Sequence, residues 1–203
     1  MMDIFSEQKR PCKDRFIELL ESTNRDGIKE LIQYLNGTDF FTAPASTKYH
    51  GAKEGGLVEH SLAVYDNLEI VLNVFSFEGY IQDTLVITAL LHDICKASFY
   101  TIEMRNKKDY TTNDGIFHPG WGSYPFYAID DQYPYGHGEK SVDIIRNFIE
   151  LTVEEKMAIR WHMGAFGAES YADRQTLSAA MEKFNLILAL QMADMAASYF
   201  DKK

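Results

Sequence analysis

Six histidines stand in this chain of 203 residues, and their neighbours make them chemically unusual. His60 shares a helical stripe with Leu57, Val64 and Leu68. His92 and Asp93 interrupt the apolar run "TALLHDICKASFY", and His162 closes "AIRWHMG". His137 sits between glycines in "YGHGEKS", where the backbone can approach another group closely. Asp194 lies in "LALQMADMAAS" with no partner nearby in sequence. Burying these groups one by one would require a separate hydrogen-bond partner for each. A shared metal centre removes that cost for all of them. Imidazole and carboxylate donors without thiolate suit a borderline or harder transition metal: Fe, Mn, Co, Ni or Zn. Cys95, two positions from Asp93 on a helix, is expected to point elsewhere.

The elements that must position these residues are mostly helices. "KDRFIELLEST" and "IKELIQYLNG" are short amphipathic patterns, the second ending at Gly37. Residues 38–56 read as an ordered loop, followed by the long helical pattern "LVEHSLAVYDNLEIVLNVF". "IQDTLVITALLHDICK" is apolar nearly all round, which predicts a central helix running to Lys96. Residues 98–136 break this rhythm with Tyr, Phe, Gly, Pro, Asn and Asp, and "SFYTIEM" and "YPFYAID" predict a small β-hairpin insertion. Helix resumes near Gly138. Thr152 three residues before Glu155 forms a capping-box pattern for the helix carrying "MAIRWHM", and one long helix is expected over 174–200. The expected fold is mainly α, a single domain over 1–203 with N-terminal helices in 1–44.

Composition narrows the classes of function. With 46% hydrophobic residues the chain can build a full core. A net charge of −10 argues against gripping long nucleic acid by phosphate neutralisation, but leaves room for a small anionic substrate held by local cations. Cys12 and Cys95 lie in unlike contexts and form no disulfide framework, which suggests a reducing compartment. "MMDIFSEQKRPCKDR" lacks the apolar core of a signal peptide, and no run of about 18 apolar residues occurs. A cytoplasmic protein without membrane contact is expected; oligomeric state is left open.

The order His60, His92-Asp93, His137, His162, Asp194 resembles the HD-domain superfamily of metal-dependent phosphohydrolases. The extra histidine pair before the final aspartate resembles its dinuclear branch. The strings "KYHGAKEGGLVEHSL", "LLHDICK" and "GHGEKS" are most similar to the HD module of certain 3′–5′ exoribonucleases and of small bacterial and phage HD proteins. The resemblance spans roughly 45–198 and implies an HD-domain helical bundle holding two divalent transition-metal ions. It assigns His60, His92, Asp93 and Asp194 to one ion, and makes Asp93 a bridge to a second ion held by His137 and His162. It also matches Lys96 to the family's lysine four residues after the HD histidine, so Asp93 and Lys96 are the implied catalytic pair. The implied activity is hydrolysis of a phosphate ester of a nucleotide, cyclic nucleotide or short oligonucleotide by a metal-activated hydroxide. Two departures matter: there is no GYP signature, and no separate nucleic-acid-binding domain of the exoribonuclease kind. Long nucleic acid is therefore not an expected partner.

Several residues are candidates for holding substrate. Lys48 and His50 precede the His60 helix; Lys140 follows His137; Arg160 precedes His162, where pairing with an acid is the alternative. Glu139 is a candidate to orient a ligand histidine. In the insertion, Arg105 and Trp121 stand out among basic and aromatic residues that either stack a base or pack on the core. Two other functions fit the same ligand order. One is a mixed-valent di-iron oxygenase of the inositol-oxygenase type; the other is a non-catalytic regulatory HD module.

Overall fold

Apolar residues recurring every three or four positions fold the start of the chain into helices α1 (Cys12–Ser22) and α2 (Ile28–Gly37). They bury Phe16 and Leu20 from α1, and Ile28, Leu31, Ile32 and Leu35 from α2. The structure, a computed structural model, describes residues 11–77, 79–112 and 115–200. Residues 1–10, the start of "MMDIFSEQKRPCKDR", where no leader is expected, lie outside the described residues.

Helix α3 (Gly56–Val74) carries His60 and packs against α4 (Gln82–Leu91) and α8 (Asn185–Tyr199). Helix α4 is the central element: every residue from Thr84 to Leu91 is buried, as its unbroken apolar pattern predicts. Helices α5 (His137–Arg146) and α6 (Val153–Trp161) pack on each other, and α6 also touches α4 and α8. Leu57, Val64, Leu68, Ile87, Leu90, Leu91, Ile187 and Leu190 are fully buried between these helices. Each such side chain stabilises the fold by about 1.5–3 kcal/mol.

Two helix boundaries differ from expectation. Helix α4 stops at Leu91; Asp93 leaves helical geometry at φ −105° and ψ 16°, and residues Ile94–Lys96 tighten into a 3₁₀ turn. The long C-terminal helix is two helices, α7 (Tyr171–Lys183) and α8, separated by Phe184 in extended conformation. Phe184 packs its ring against the core, and no Gly or Pro announces the break.

The insertion is an antiparallel hairpin of β1 (Tyr100–Thr111) and β2 (Phe117–Ile129), longer than the two predicted pieces. Tyr100 pairs with Ile129 and Thr111 with Phe117, with an irregularity between Lys108 and Tyr110. None of its described residues joins the helical core, so its aromatics do not serve as core packing. Among the described residues, no helix is long and apolar enough to cross a membrane.

One polar cluster ties the connection between α1 and α2 to the starts of α4 and α6. Glu155 completes the capping box with Thr152, and its fully buried carboxylate also accepts from Thr84 Oγ1 (2.8 Å) and from both terminal nitrogens of Arg25. Burial opposes its charge, but the Arg25, Thr152 and Thr84 hydrogen bonds hold its pKa below the ordinary value. A depressed carboxylate stabilises the fold above its unfolded pKa, and that contribution is lost as pH falls through the lower folded value. The acid limb therefore lies below about pH 4.3. Glu155→Ala leaves Arg25 without its carboxylate and should cost about 3 kcal/mol. That is the low end for a broken buried pair, because the Arg25 side chain is 18% exposed. The melting temperature should fall by about 6–12 °C at pH 7, and the gap should narrow in acid. A wild-type melting temperature at pH 7 would contradict this role.

Candidate metal centre

The end of a helix is where the backbone offers unpaired carbonyls, and two histidines use it in the same way. His92 and His162 are the residues at the C-terminal ends of α4 and α6. The ring Nδ1 of His92 lies 2.8 Å from the Ala89 carbonyl oxygen, and that of His162 lies 2.7 Å from Ile159 O. A carbonyl only accepts, so each Nδ1 carries the proton and donates it. In the neutral ring each Nε2 then presents a lone pair. Both Nε2 atoms are buried and have no hydrogen-bond partner. His60 Nε2 is in the same condition; Asp194 Oδ1 is 3.1 Å away without meeting hydrogen-bond geometry.

Asp93 stands between these rings. Its Oδ2 is 3.4 Å from His92 Nε2 and 3.7 Å from His60 Nε2. Its Oδ1 is 2.6 Å from His137 Nε2 and 3.6 Å from His162 Nε2. The two carboxylate oxygens thus address two different pairs of imidazoles. Three sets of donor atoms converge closely enough to hold metal: His60, His92 and Asp194; His92, Asp93 and His162; and Asp93, Cys95 and His137. The three orphaned nitrogens fit a cation, because an imidazole lone pair facing no donor is what a metal ligates.

His137 reaches the centre because its backbone comes unusually close to α6. Gly136 adopts φ +92°, and a Cβ on Gly138 would collide with the carbonyl of Arg160, two residues before His162. Burial works against the His137 imidazolium, but Asp93 and then Cys95 push its pKa up to about 9. At neutral pH its Nε2–H donates to Asp93 Oδ1 and its Nδ1 faces Cys95 Sγ at 3.4 Å. Ligation through Nε2 requires loss of that proton.

Cys95 corrects the expectation that it points away. The chain leaves the α-helix at Asp93, so helical spacing no longer separates the two side chains, and the thiol comes to lie beside His137. The same turn places Lys96 Nζ 2.6 Å from Asp93 Oδ2, neither free nor extended to solvent. Burial opposes the Lys96 charge, yet Asp93 raises its pKa above the ordinary lysine value. In return, against its own burial, Asp93 is held well below the usual carboxylate range by Lys96, His92 and His137. Asp194 is likewise depressed: burial opposes its charge, and His60 and the other imidazoles favour it.

A cavity of about 620 Å³ opens onto His60, lined also by Lys48, Tyr49, His50, Gly51 and Glu59. Of the substrate-binding candidates, Lys48 and His50 line this cavity beside His60. The His50 ring lies 5.0 Å from that of His60, and burial first, then the neighbouring His60 and Lys96, lowers its pKa to about 4. His50 is therefore neutral at pH 7 and offers a phosphate a dipole rather than a charge. Lys140 is buried and donates to Asp131 Oδ1 at 2.6 Å, beside the Phe99 ring. Arg160 pairs with Glu139 and stacks on Trp161, so Glu139 holds an arginine instead of a histidine. Arg105 lines a second cavity, and Trp121 is 76% exposed and lines neither. Sequence reasoning missed Tyr49 and Tyr100. The Tyr100 hydroxyl donates to Ala45 O, and burial pushes its pKa up to about 12. Tyr49 lies within "KYHGAKEGGLVEHSL" and Tyr100 ends "TALLHDICKASFY", but the histidines and lysines of those strings drew the attention.

Comparison with protein-family models, curated proteins and solved structures returns no match for this chain. The chain's chemistry therefore rests on its own geometry: a buried cluster of His, Asp and Cys able to hold metal.

Proposed function

We propose that this protein is a dinuclear metal-dependent phosphohydrolase or phosphodiesterase of the HD type, acting on a nucleotide or short oligonucleotide. One observation carries the reading: the two oxygens of Asp93 face separate pairs of imidazoles, and the three buried ones, His60, His92 and His162, have Nε2 atoms that lack any hydrogen bond. A bridging carboxylate between two ligand sets has this form. His60, His92, Asp93 and Asp194 would hold one divalent ion, and Asp93, His137 and His162 the other.

Two adjacent cations held there would supply Lewis acidity toward a phosphoryl oxygen and a nucleophilic water at neutral pH. The remaining work falls to the chain itself. The Ala89 and Ile159 carbonyls hold Nδ1–H of His92 and His162, which orients both rings and turns each Nε2 toward the centre. Lys96 holds a positive charge beside Asp93, where a phosphoryl group at the centre would gather negative charge. Lys48, at the rim of the His60 cavity, attracts the anionic substrate, and neutral His50 lines the approach.

The test is turnover of nucleotides and cyclic dinucleotides by protein loaded with Mn or Co, run without oxygen and with product identification. Release of a phosphate product under these conditions is the expected result. Turnover that consumes O₂ and requires iron would replace this reading with an oxygenase. No turnover with any divalent ion would leave a metal-binding module without catalysis.

A further inference from the structure

A second cavity, of about 1390 Å³, lies between the hairpin and the loop at 47–53. Its walls include Arg105 and Lys107 from β1, Tyr124 and Phe126 from β2, and Thr47, Lys48 and Tyr49 from the loop. Lys48, Tyr49, Gly51 and Lys53 also line the cavity that opens onto His60, so the two spaces adjoin across this loop. Pockets for a single small ligand run to about 1,000 Å³. The second cavity alone exceeds that, and a mononucleotide at the centre would leave it unused.

The lining has a repeating composition. Arg105 lies over the Phe126 ring at 3.4 Å, Lys107 over Tyr124 at 5.5 Å and Lys48 over Tyr49 at 5.8 Å. Arg105 faces Tyr124 across the sheet, and the pleat puts residues 105 and 107 on the same face as 124 and 126. Lys53 is neutralised by Glu59, whereas no ion pair engages Lys48, Arg105 or Lys107 among the described residues. Tyr49, on the wall common to both cavities, is 73% exposed. Three unpaired cations, each beside an aromatic ring, stand out on a chain of net charge −10.

We propose that this groove holds the nucleotides flanking the scissile phosphate of a single-stranded oligonucleotide, an extension that rests on the phosphohydrolase reading. Cations beside rings match the alternation of phosphate and base along a strand, with bases stacking on Tyr49, Tyr124 and the guanidinium of Arg105. An acidic peptide would use the cations but not the rings. A duplex hides its bases and would meet the repulsion of an acidic protein over most of its length. Short single strands are thus the ligand, and hexauridylate and hexathymidylate separate RNA from DNA.

Binding of each fluorescein-labelled hexamer is measured by anisotropy in chelator, which stops turnover, at increasing salt. Three phosphate contacts predict a slope of log affinity against log salt of about −2, from about −0.7 per contact on single strands. Arg105→Glu/Lys107→Glu should weaken binding at least tenfold at low salt and flatten the slope to about −0.7. Both positions are exposed strand residues, and circular dichroism verifies the fold. Uridine monophosphate should compete far less well than either hexamer, and the ratio between the hexamers identifies the preferred sugar. Hexamer binding unchanged in the double variant, or equalled by uridine monophosphate or by a hexamer duplex, overturns the groove. Hydrolysis of a small aryl phosphodiester by metal-loaded protein is read separately. Its absence alongside normal hexamer binding sinks the phosphohydrolase reading and leaves the groove standing; its presence without hexamer binding does the reverse.

Discussion

Asp93→Ala is expected to abolish metal retention at both positions, while His137→Ala loses about one ion of two. The asymmetry follows from the carboxylate, whose Oδ2 faces His60 and His92 while its Oδ1 faces His137 and His162. Removing it takes a shared ligand from each set and leaves the imidazole pairs without the negative charge that offsets two cations. His137 serves one side alone. Metal analysis of each variant, after loading with Mn and removal of free ion, checks the pattern. Hydrolysis should be undetectable in Asp93→Ala and reduced in His137→Ala. If both variants lose the same amount of metal, Asp93 is not a bridge.

That central aspartate was legible from sequence because a carboxylate and an imidazole side by side in "TALLHDICK" demand a partner in an apolar helix. The same logic drew attention to His60 on its apolar stripe, to His162 at the end of "AIRWHMG" and to Asp194 in an apolar helix. Cys95 and Lys96 were read on a helix that the chain does not continue. Their directions depend on the 3₁₀ turn after Asp93, which no Gly or Pro marks. The break at Phe184 escaped for the same reason. The capping box at Thr152 and Glu155 was visible, but its link to Arg25 joins residues 130 positions apart, which local pattern cannot reach. The hairpin was visible as a change of composition. Its separation from the core was not, because aromatic content reads alike for packed and projecting strands.

Lys96→Met is the second large effect. Lys96 donates to Asp93 Oδ2 at 2.6 Å, so its charge is fixed at the centre and costs no reorganisation when negative charge develops there. Methionine keeps much of the stem's volume and removes the ammonium. The rate on the true substrate should fall about 10²–10³-fold, as for other fixed electrostatic groups. Metal content should stay near normal, because the ions themselves balance Asp93 once bound. Without metal the same variant should melt at a lower temperature than wild type, since the buried carboxylate loses its strongest cation. Lys96→Arg should recover only part of the rate, because a planar fork replaces a compact ammonium. Full activity in Lys96→Met with lowered melting temperature in both states would assign Lys96 to packing alone.

The central claim is two ions on either side of one carboxylate, and an anomalous difference map from a crystal soaked in Mn²⁺ measures it directly. Two peaks are predicted, one among His60, His92 and Asp194 and one among His137 and His162, with Asp93 between them. A single peak, or none at these residues, would contradict the dinuclear centre.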